Sequence, residues 1–459
     1  MASRSVRLEE YASSGVSVES EDIDDSFSSI KIRPMRQGNR HQGQDDAPAA
    51  RVAHSASASH RQNDKYMEAF DVAFEELSAA EAARTGKVRR DPVQESSKPS
   101  SAGKMTSLRG DVTIQAGSEE NLTGAWLQGP RVSEGQAHDV SAQPLMCMSM
   151  SADESEVVVG SSDHALYVIP LGDRRIVSGG MDSKLCLWDA TGVKCEDLLG
   201  HSGSVSCVLS MGDEMVLSAG YDKMLRLWNV NRRVSSQKRE QSVIKAGTAP
   251  ILDVSLLPGG QPSAVCGDRD GGVQLIDLEA NKVLRKHTNA HRGHATSVLG
   301  SQNGAEDSAG CCYFSGGQDG AVKVWDTRQK SATHSLELHI DPRSSKAGAV
   351  GFLREPPQDP NVLITGGADG VINVLDKRQS YGVLHSFTEH MDFIYSLHVR
   401  GQLCFSGAGN GMLHVHDWRR GKLLYGLGAN KAAVRAVATS ATQLVAAGDD
   451  GGVIVYDMN

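Results

Sequence analysis

A chain of 459 residues is too long for one ordinary compact core, and 47 Lys+Arg against 56 Asp+Glu leave a net charge of −9, which argues against a general polyanion binder and so against nucleic acid as a partner. No apolar run approaches the ~20 residues that span a bilayer, and the N-terminal MASRSVRLEEYASSG lacks the apolar stretch of a signal peptide, so a soluble intracellular protein without a membrane partner is expected. Glycine, at 48 residues, exceeds its usual share of about 7%, which implies a chain that often reverses direction.

Residues 1–61 are rich in Ser, Gln, Arg and Asp with scattered apolar side chains, the composition of a disordered tail. Residues 62–85 differ: Asp64 can cap a helix on which Tyr66, Phe70, Phe74 and Leu77 recur at i, i+4, i+8 and i+11. Two readings of this apolar face stay open, a helix that docks on the rest of the chain or does nothing, and a helix-in-groove ligand for another protein. Residues 86–129 read as a linker. Within it, Lys87-Val88-Arg89-Arg90 is either a solvated charge cluster or a weak nuclear signal, so a cytoplasmic location is expected, with the nucleus as its variant.

From about residue 130 a repeat takes over: an apolar run, a cluster of small residues, an Asp in a tight turn, then an alternating strand. Eight copies are readable, among them IVSGGMDSKLCLWD, VLSAGYDKMLRLWN and YFSGGQDGAVKVWD. Their turn residues are Asp163, Asp182, Asp222, Asp270, Asp319, Asp369, Asn410 and Asp450. Each copy predicts a β-hairpin, and a further apolar strand precedes most copies, as at Val205–Met211, Ile251–Leu257, Ile394–Val399 and Ala433–Ala438.

These residues resemble the WD40 family over about 130–459. The resemblance implies an all-β fold, a β-propeller of seven to eight four-stranded blades preceded by the largely disordered N-terminal region. It also implies a hydrogen-bonded structural tetrad of His, Ser or Thr, Asp and Trp. Two copies carry the full set, His201, Ser218, Asp222 and Trp228, and His294, Ser315, Asp319 and Trp325. Elsewhere Ile276, Leu375, His416 and Tyr456 stand for the Trp, and Asn410 for the Asp, so those blades must rely on apolar packing. The chain as given stops after a third strand, so the missing outer strand is expected from the start of the propeller, around Arg131–Gly135.

Successive turn residues lie 19, 40, 48, 49, 50, 41 and 40 apart, and the first interval is half a blade. Either about 20 residues are missing near 170–175, leaving a defect in an eight-bladed ring, or a surplus hairpin accompanies seven blades. The first explanation is preferred, because both fused copies match the repeat well.

Little chemistry is legible. No phosphate-binding G-x-x-x-x-G-K-[ST] occurs, no nucleophile–base set stands out, and no cofactor is expected. The eight cysteines all follow residue 140, none paired as C-x-x-C, and read as reduced, buried thiols. His287, His291 and His294 with Cys311 and Cys312 hint at a metal, but His294 is assigned to the tetrad and the other two histidines to a loop, so no metal site is assigned. The most suggestive surface pattern follows three consecutive third strands: Asp326 with Arg328, Asp376 with Arg378, and Asp417 with Arg419. An Arg two residues past the repeat Asp resembles the WDxR box by which substrate receptors dock on the adaptor of a cullin–RING ubiquitin ligase. The competing reading is an Arg paired with an acidic group of the neighbouring blade.

The sequence therefore predicts a non-enzymatic scaffold, a monomeric propeller inside a larger complex that holds proteins or peptides, with basic peptides one expected class. Its alternatives are a ubiquitin-ligase substrate receptor that docks on the adaptor, and a structural component of a cytoskeletal or ciliary assembly.

Overall fold

A computed structural model describes residues 16–18, 32–34, 107–109 and 124–458, the last range without 131–134, 151–153, 155, 163–166, 171–174, 190–192, 213, 260, 302–311 and 342–344. Residues 13–102 form one unit, in which Val16–Val18 pairs antiparallel with Ile32–Pro34. The expected helix 62–85 and almost all of the expected tail and linker lie outside the described residues. The strands of the repeat belong to the other unit.

Seven four-stranded antiparallel sheets follow one another along this unit, spanning 167–198, 205–245, 251–287, 295–337, 350–387, 394–428 and 434–457, and we number them as the first to seventh blades. A partial sheet of three strands stands between the seventh blade and the first. The innermost strands of the eight sheets neighbour one another in chain order, and the last returns to the first, so the ring is closed. The fold is thus an all-β propeller with seven four-stranded blades.

The second blade shows why these residues form these strands. Its inner strand, Val205–Ser210, is buried at five of six positions because neighbouring blades cover both faces, whereas the outer strand, Glu240–Lys245, is mostly exposed. The turn between its second and third strands puts Lys223 in the left-handed region at φ 70°, and the Lys223 N–H donates to Gly220 O at 3.1 Å. In five other blades the same turn position is glycine (Gly271, Gly320, Gly370, Gly411 and Gly451), which absorbs part of the glycine surplus without Cβ strain.

The short interval resolves in a way the hairpin reading did not foresee. Tyr167–Pro170 reads as the third strand of the first copy, yet it pairs antiparallel with Ile176–Gly179 and serves as the inner strand of the first blade. Among the described residues the succession of inner strands thereby has no gap. The shortage moves outward, to the partial sheet, where Leu145–Met150 and Glu156–Ser161 are joined by Ser107–Arg109 from the expected linker. An inner position left empty would expose apolar faces on both neighbours, whereas a missing outer strand exposes one edge.

Closure does come from the start of the propeller, but further along the chain than 131–135. Gln136–Asp139 pairs antiparallel with the seventh blade's third strand, with Gln136 opposite Val455 and Asp139 opposite Gly452. A five-residue helix, Gly124–Gln128, lies just upstream and fastens the same region. Its Trp126 is fully buried, meets Phe405 of the sixth blade edge-on at 5.7 Å, and donates its indole N–H to Ala441 O of the seventh at 3.2 Å. Tyr425 donates its hydroxyl to the Trp126 carbonyl at 2.9 Å.

Deleting 136–139 should leave the third strand of the seventh blade with an open edge. The expected result is a melting midpoint lower by at least several degrees, about 1 kcal/mol or more of lost stability. An unchanged midpoint in differential scanning calorimetry would refute the closure.

Candidate functional site

The buried polar network at the hairpin turns is the most ordered chemistry in the molecule. In the second blade the Trp228 indole N–H donates to Ser218 Oγ at 2.8 Å, and the hydroxyl lies 2.7 Å from His201 Nε2. His201 Nδ1 lies 2.9 Å from Asp222. A neutral imidazole satisfies every group in that chain, with Ser218 donating to Nε2 and the Nδ1 hydrogen donating to the carboxylate. Burial works against ionising Asp222, and hydrogen bonds from His201 and the Ser202 backbone N–H outweigh it, so the carboxyl titrates below its ordinary value.

In the fourth blade the histidine of the network is His291, not His294. His291 Nε2 lies 2.7 Å from Ser315 Oγ and Nδ1 lies 3.0 Å from Asp319, while the Trp325 indole donates to Ser315 at 2.8 Å. The cause is reach: His291 stands four residues before the inner strand Ala295–Gly300, as His201 stands four before Val205–Ser210, and His294 sits directly against the strand. The His294 carbonyl accepts from Gln318 N–H at 2.8 Å. His287 packs tilted against Trp325, with ring centres 4.2 Å apart. Among the described residues no group of three or more His, Cys, Asp or Glu is arranged to hold a metal ion.

A third network was missed because its blade lacks the Trp. In the fifth blade His339 bridges Thr365 Oγ1 at 2.8 Å and Asp369 at 3.0 Å, with Leu375 at the indole position. A glycine two residues before the Asp is needed in all three. A Cβ on Gly220, Gly317 or Gly367 would stand 2.8, 2.3 or 2.5 Å from the histidine Nδ1. The third blade solves the same problem differently: Asp268, fully buried, rather than Asp270, accepts from Gln274 Nε2 at 2.8 Å and from Thr248 Oγ1 at 3.3 Å. In the seventh, Asn430 takes the place of histidine and donates to Asp450 at 2.8 Å.

The sixth blade keeps only half of the network. His390 Nε2 lies 2.7 Å from Ser406 Oγ, but Asn410 replaces the Asp, Ala408 fills the glycine position, and His390 Nδ1 has no hydrogen-bond partner. His414 stacks on it with ring centres 4.2 Å apart. His416, at the Trp position, lies 4.4 Å from the Phe387 ring and 3.4 Å from Glu389. Burial pushes the His390 pKa down to about 3, with His414 and His416 adding to the shift. Burial also lowers His416 against the pull of Glu389.

The Asp–Arg pairs at the other end of the third strands divide two to one. Arg328 donates from Nε and Nη2 to both oxygens of Asp326, at 2.9 and 2.6 Å, and Arg378 does the same to Asp376 at 3.0 and 3.0 Å. Each of these partners lies in the same blade as its arginine. The guanidinium hydrogen bonds hold both carboxyls below their ordinary pKa. Asp326 and Asp376 are almost entirely covered, while 68% and 67% of the arginine side chains face solvent. The third pair is built otherwise: Arg420, rather than Arg419, approaches Asp417 at 3.7 Å, and Arg419 lies over the Trp418 ring at 5.2 Å.

A family model described as WD domain, G-beta repeat matches residues 192–229, which hold the end of the first blade and the complete His201 network. The chain is similar to meiotic fizzy-related protein 1 of Schizosaccharomyces pombe, at 26% identity over 44% of each protein. It is 30% identical to THO complex subunit 6 of Drosophila melanogaster over 23% of this chain and 27% of that one. It is 28% identical to the DDB1- and CUL4-associated factor 11 homolog of Caenorhabditis briggsae over 25% of this chain and 19% of that one. The matched part is thus less than half the length of each of these relatives.

Two predictions separate these networks. His291→Ala should cost about 1–3 kcal/mol by removing the hydrogen bonds that Asp319 and Ser315 make to the ring, whereas His294→Ala, outside the network, should cost less. Urea denaturation of the two variants checks this, and equal losses would dismiss the reassignment. For the sixth blade the sign follows from the depressed pKa of His390. Its ring titrates near pH 6.5 when unfolded, so the stability of the neutral buried ring is complete above pH 6.5 and is lost as pH falls toward about 3. The loss is about 1.4 kcal/mol per pH unit below that threshold. The double variant Ala408→Gly/Asn410→Asp supplies Nδ1 with a carboxylate and should flatten the loss between about pH 6.5 and about pH 5. Identical acid slopes for variant and wild type would exclude His390 as the cause.

Proposed function

The chain belongs to the WD40-repeat family of β-propellers, and we propose that it is a non-enzymatic scaffold that holds partner proteins in a multiprotein complex. The observation that carries this reading is the use to which the polar chemistry is put. Three of the histidines that could serve catalysis are spent inside the blades instead: His201, His291 and His339 are each committed to a hydroxyl and a carboxylate. The blades leave to solvent their outer strands and their connecting loops, and the loops are the usual contact points of a propeller. Relatives named as subunits of the THO and COMPASS complexes support the same class of role.

A second reading is favoured by one specific arrangement. Arg328 and Arg378 are exposed, braced guanidinium groups at equivalent places in adjacent blades, and relatives named as DDB1- and CUL4-associated factors from two nematodes match this chain. In this reading the propeller is a substrate receptor whose Asp326–Arg328 and Asp376–Arg378 pairs dock on the ligase adaptor.

Affinity purification of the tagged full chain, followed by mass spectrometry, tests both. The scaffold reading expects a reproducible set of partner proteins, and recovery of a lone 49.0 kDa monomer would overturn it. The receptor reading expects the adaptor among those partners and its loss from Arg328→Ala/Arg378→Ala. An adaptor that never appears, or that is retained by the variant, would overturn that reading alone.

A further inference from the structure

The third strands of the fourth, fifth and sixth blades, Ala321–Asp326, Ile372–Asp376 and Met412–Asp417, leave their sheets at the same end of the ring. The connections that follow, 327–333, 377–381 and 418–421, contain no Asp or Glu. Together with the first residue of the next strand they expose Arg328, Lys330, Arg378, Arg419, Arg420 and Lys422. Most of the nearby carboxylates face a cation of their own blade or its neighbour: Asp326 and Asp376 the two arginines, Asp417 Arg420 at 3.7 Å, and Glu355 Lys377, while Asp359 accepts from the Asn361 N–H. The matching connection of the third blade carries Glu279 instead, which bounds the run on one side. A chain of net charge −9 thus concentrates five exposed cations on three consecutive loops and a sixth, Lys422, on the strand that follows the last of them.

We propose that this crescent is a docking site for an acidic, extended polypeptide segment of a partner protein, running along the loop ends of the fourth to sixth blades. The inference rests on the scaffold reading and names the surface and the charge of its partner. Two features favour it. The guanidinium planes of Arg328 and Arg378 are held by bidentate bonds to buried carboxylates, so binding a second carboxylate from solvent costs little further side-chain order. The aromatics of the crescent are already engaged: Trp418 is 2% exposed and lies beneath Arg419, and Tyr381 packs edge-on against Phe314 and His334, which disfavours stacking of single-stranded nucleic acid. A flexible acidic segment can reach three loops while its own domain stays away from the acidic remainder of the molecule. Basic peptides, expected from net charge alone, do not fit this face.

The test is fluorescence anisotropy on the full chain with a labelled Glu-rich peptide, a Gln counterpart of equal length, oligouridylate and phosphatidylserine vesicles. The Glu-rich peptide should bind, weaken steeply with added salt, and lose at least about tenfold in affinity in Arg328→Ala/Arg378→Ala/Arg420→Ala. Because removing the arginines uncovers buried carboxylates, Arg328→Lys/Arg378→Lys is measured beside it. That variant keeps the charge without the fork and should fall between wild type and the triple variant. Equal affinity for the Gln peptide, equal affinity in the triple variant, or tighter binding of the RNA or the vesicles would overturn the proposal. Cross-linking mass spectrometry on the purified complex separates the two levels. Partners whose cross-links avoid 327–333, 377–381 and 418–421 would sink the crescent alone, and an absence of partners would sink the scaffold reading beneath it.

Discussion

Each inner strand of a propeller is covered on both faces by its neighbours, so no position in the ring can stay empty without exposing two apolar surfaces at once. That constraint overrides local sequence likeness. Tyr167–Pro170 resembles a third strand, with its alternation and its hairpin turn, yet it occupies an inner position because the ring requires one there. The deficit is displaced to the cheapest place, the outer edge of the partial sheet, where Ser107–Arg109 supplies a third strand. The same logic divides closure between two elements. A four-residue outer strand fills one edge, and Trp126 fills the seam between the sixth and seventh blades.

The polar networks follow from a second rule, that buried donors and acceptors must find partners. Their variety shows that the rule concerns satisfaction and not residue identity. His–Thr–Asp in the fifth blade, Asp–Gln–Thr in the third and Asn–Asp in the seventh all tie a hairpin turn to the loop before the inner strand. The sixth blade is where the rule is relaxed. Ala408 and Asn410 act together there, since the Cβ of Ala408 occupies the place where histidine and carboxylate meet in the complete networks. Burial lowers the pKa of the three histidines packed in that blade.

Much of this was legible from period and turn chemistry. The repeat located the strands of the blades, because alternation and Gly/Asp turns are local signals. The register of the networks was less legible. His291 and His294 are both plausible by proximity, and only the four-residue spacing shared with His201 and His390 separates them. His339 escaped because its blade has Leu375 at the indole position and a longer approach to its inner strand, Val350–Arg354. Trp126 and Ser107–Arg109 escaped for a different reason: neither sits in a periodic stretch, and their partners lie far away in sequence. In the Asp–Arg pairs the spacing was readable, but Asp417 has Arg419 and Arg420 both in range, and stacking on Trp418 decides between them.

The pairing of Gln136–Asp139 with Gly452–Val455 also sets an order in time. On a ribosome the first of these segments emerges long before the second, at roughly 5–20 residues per second, so it waits tens of seconds for its partner. During that interval the strand Gln136–Asp139 has no partner edge, and a chaperone or a neighbouring copy meeting the chain then would find that edge open.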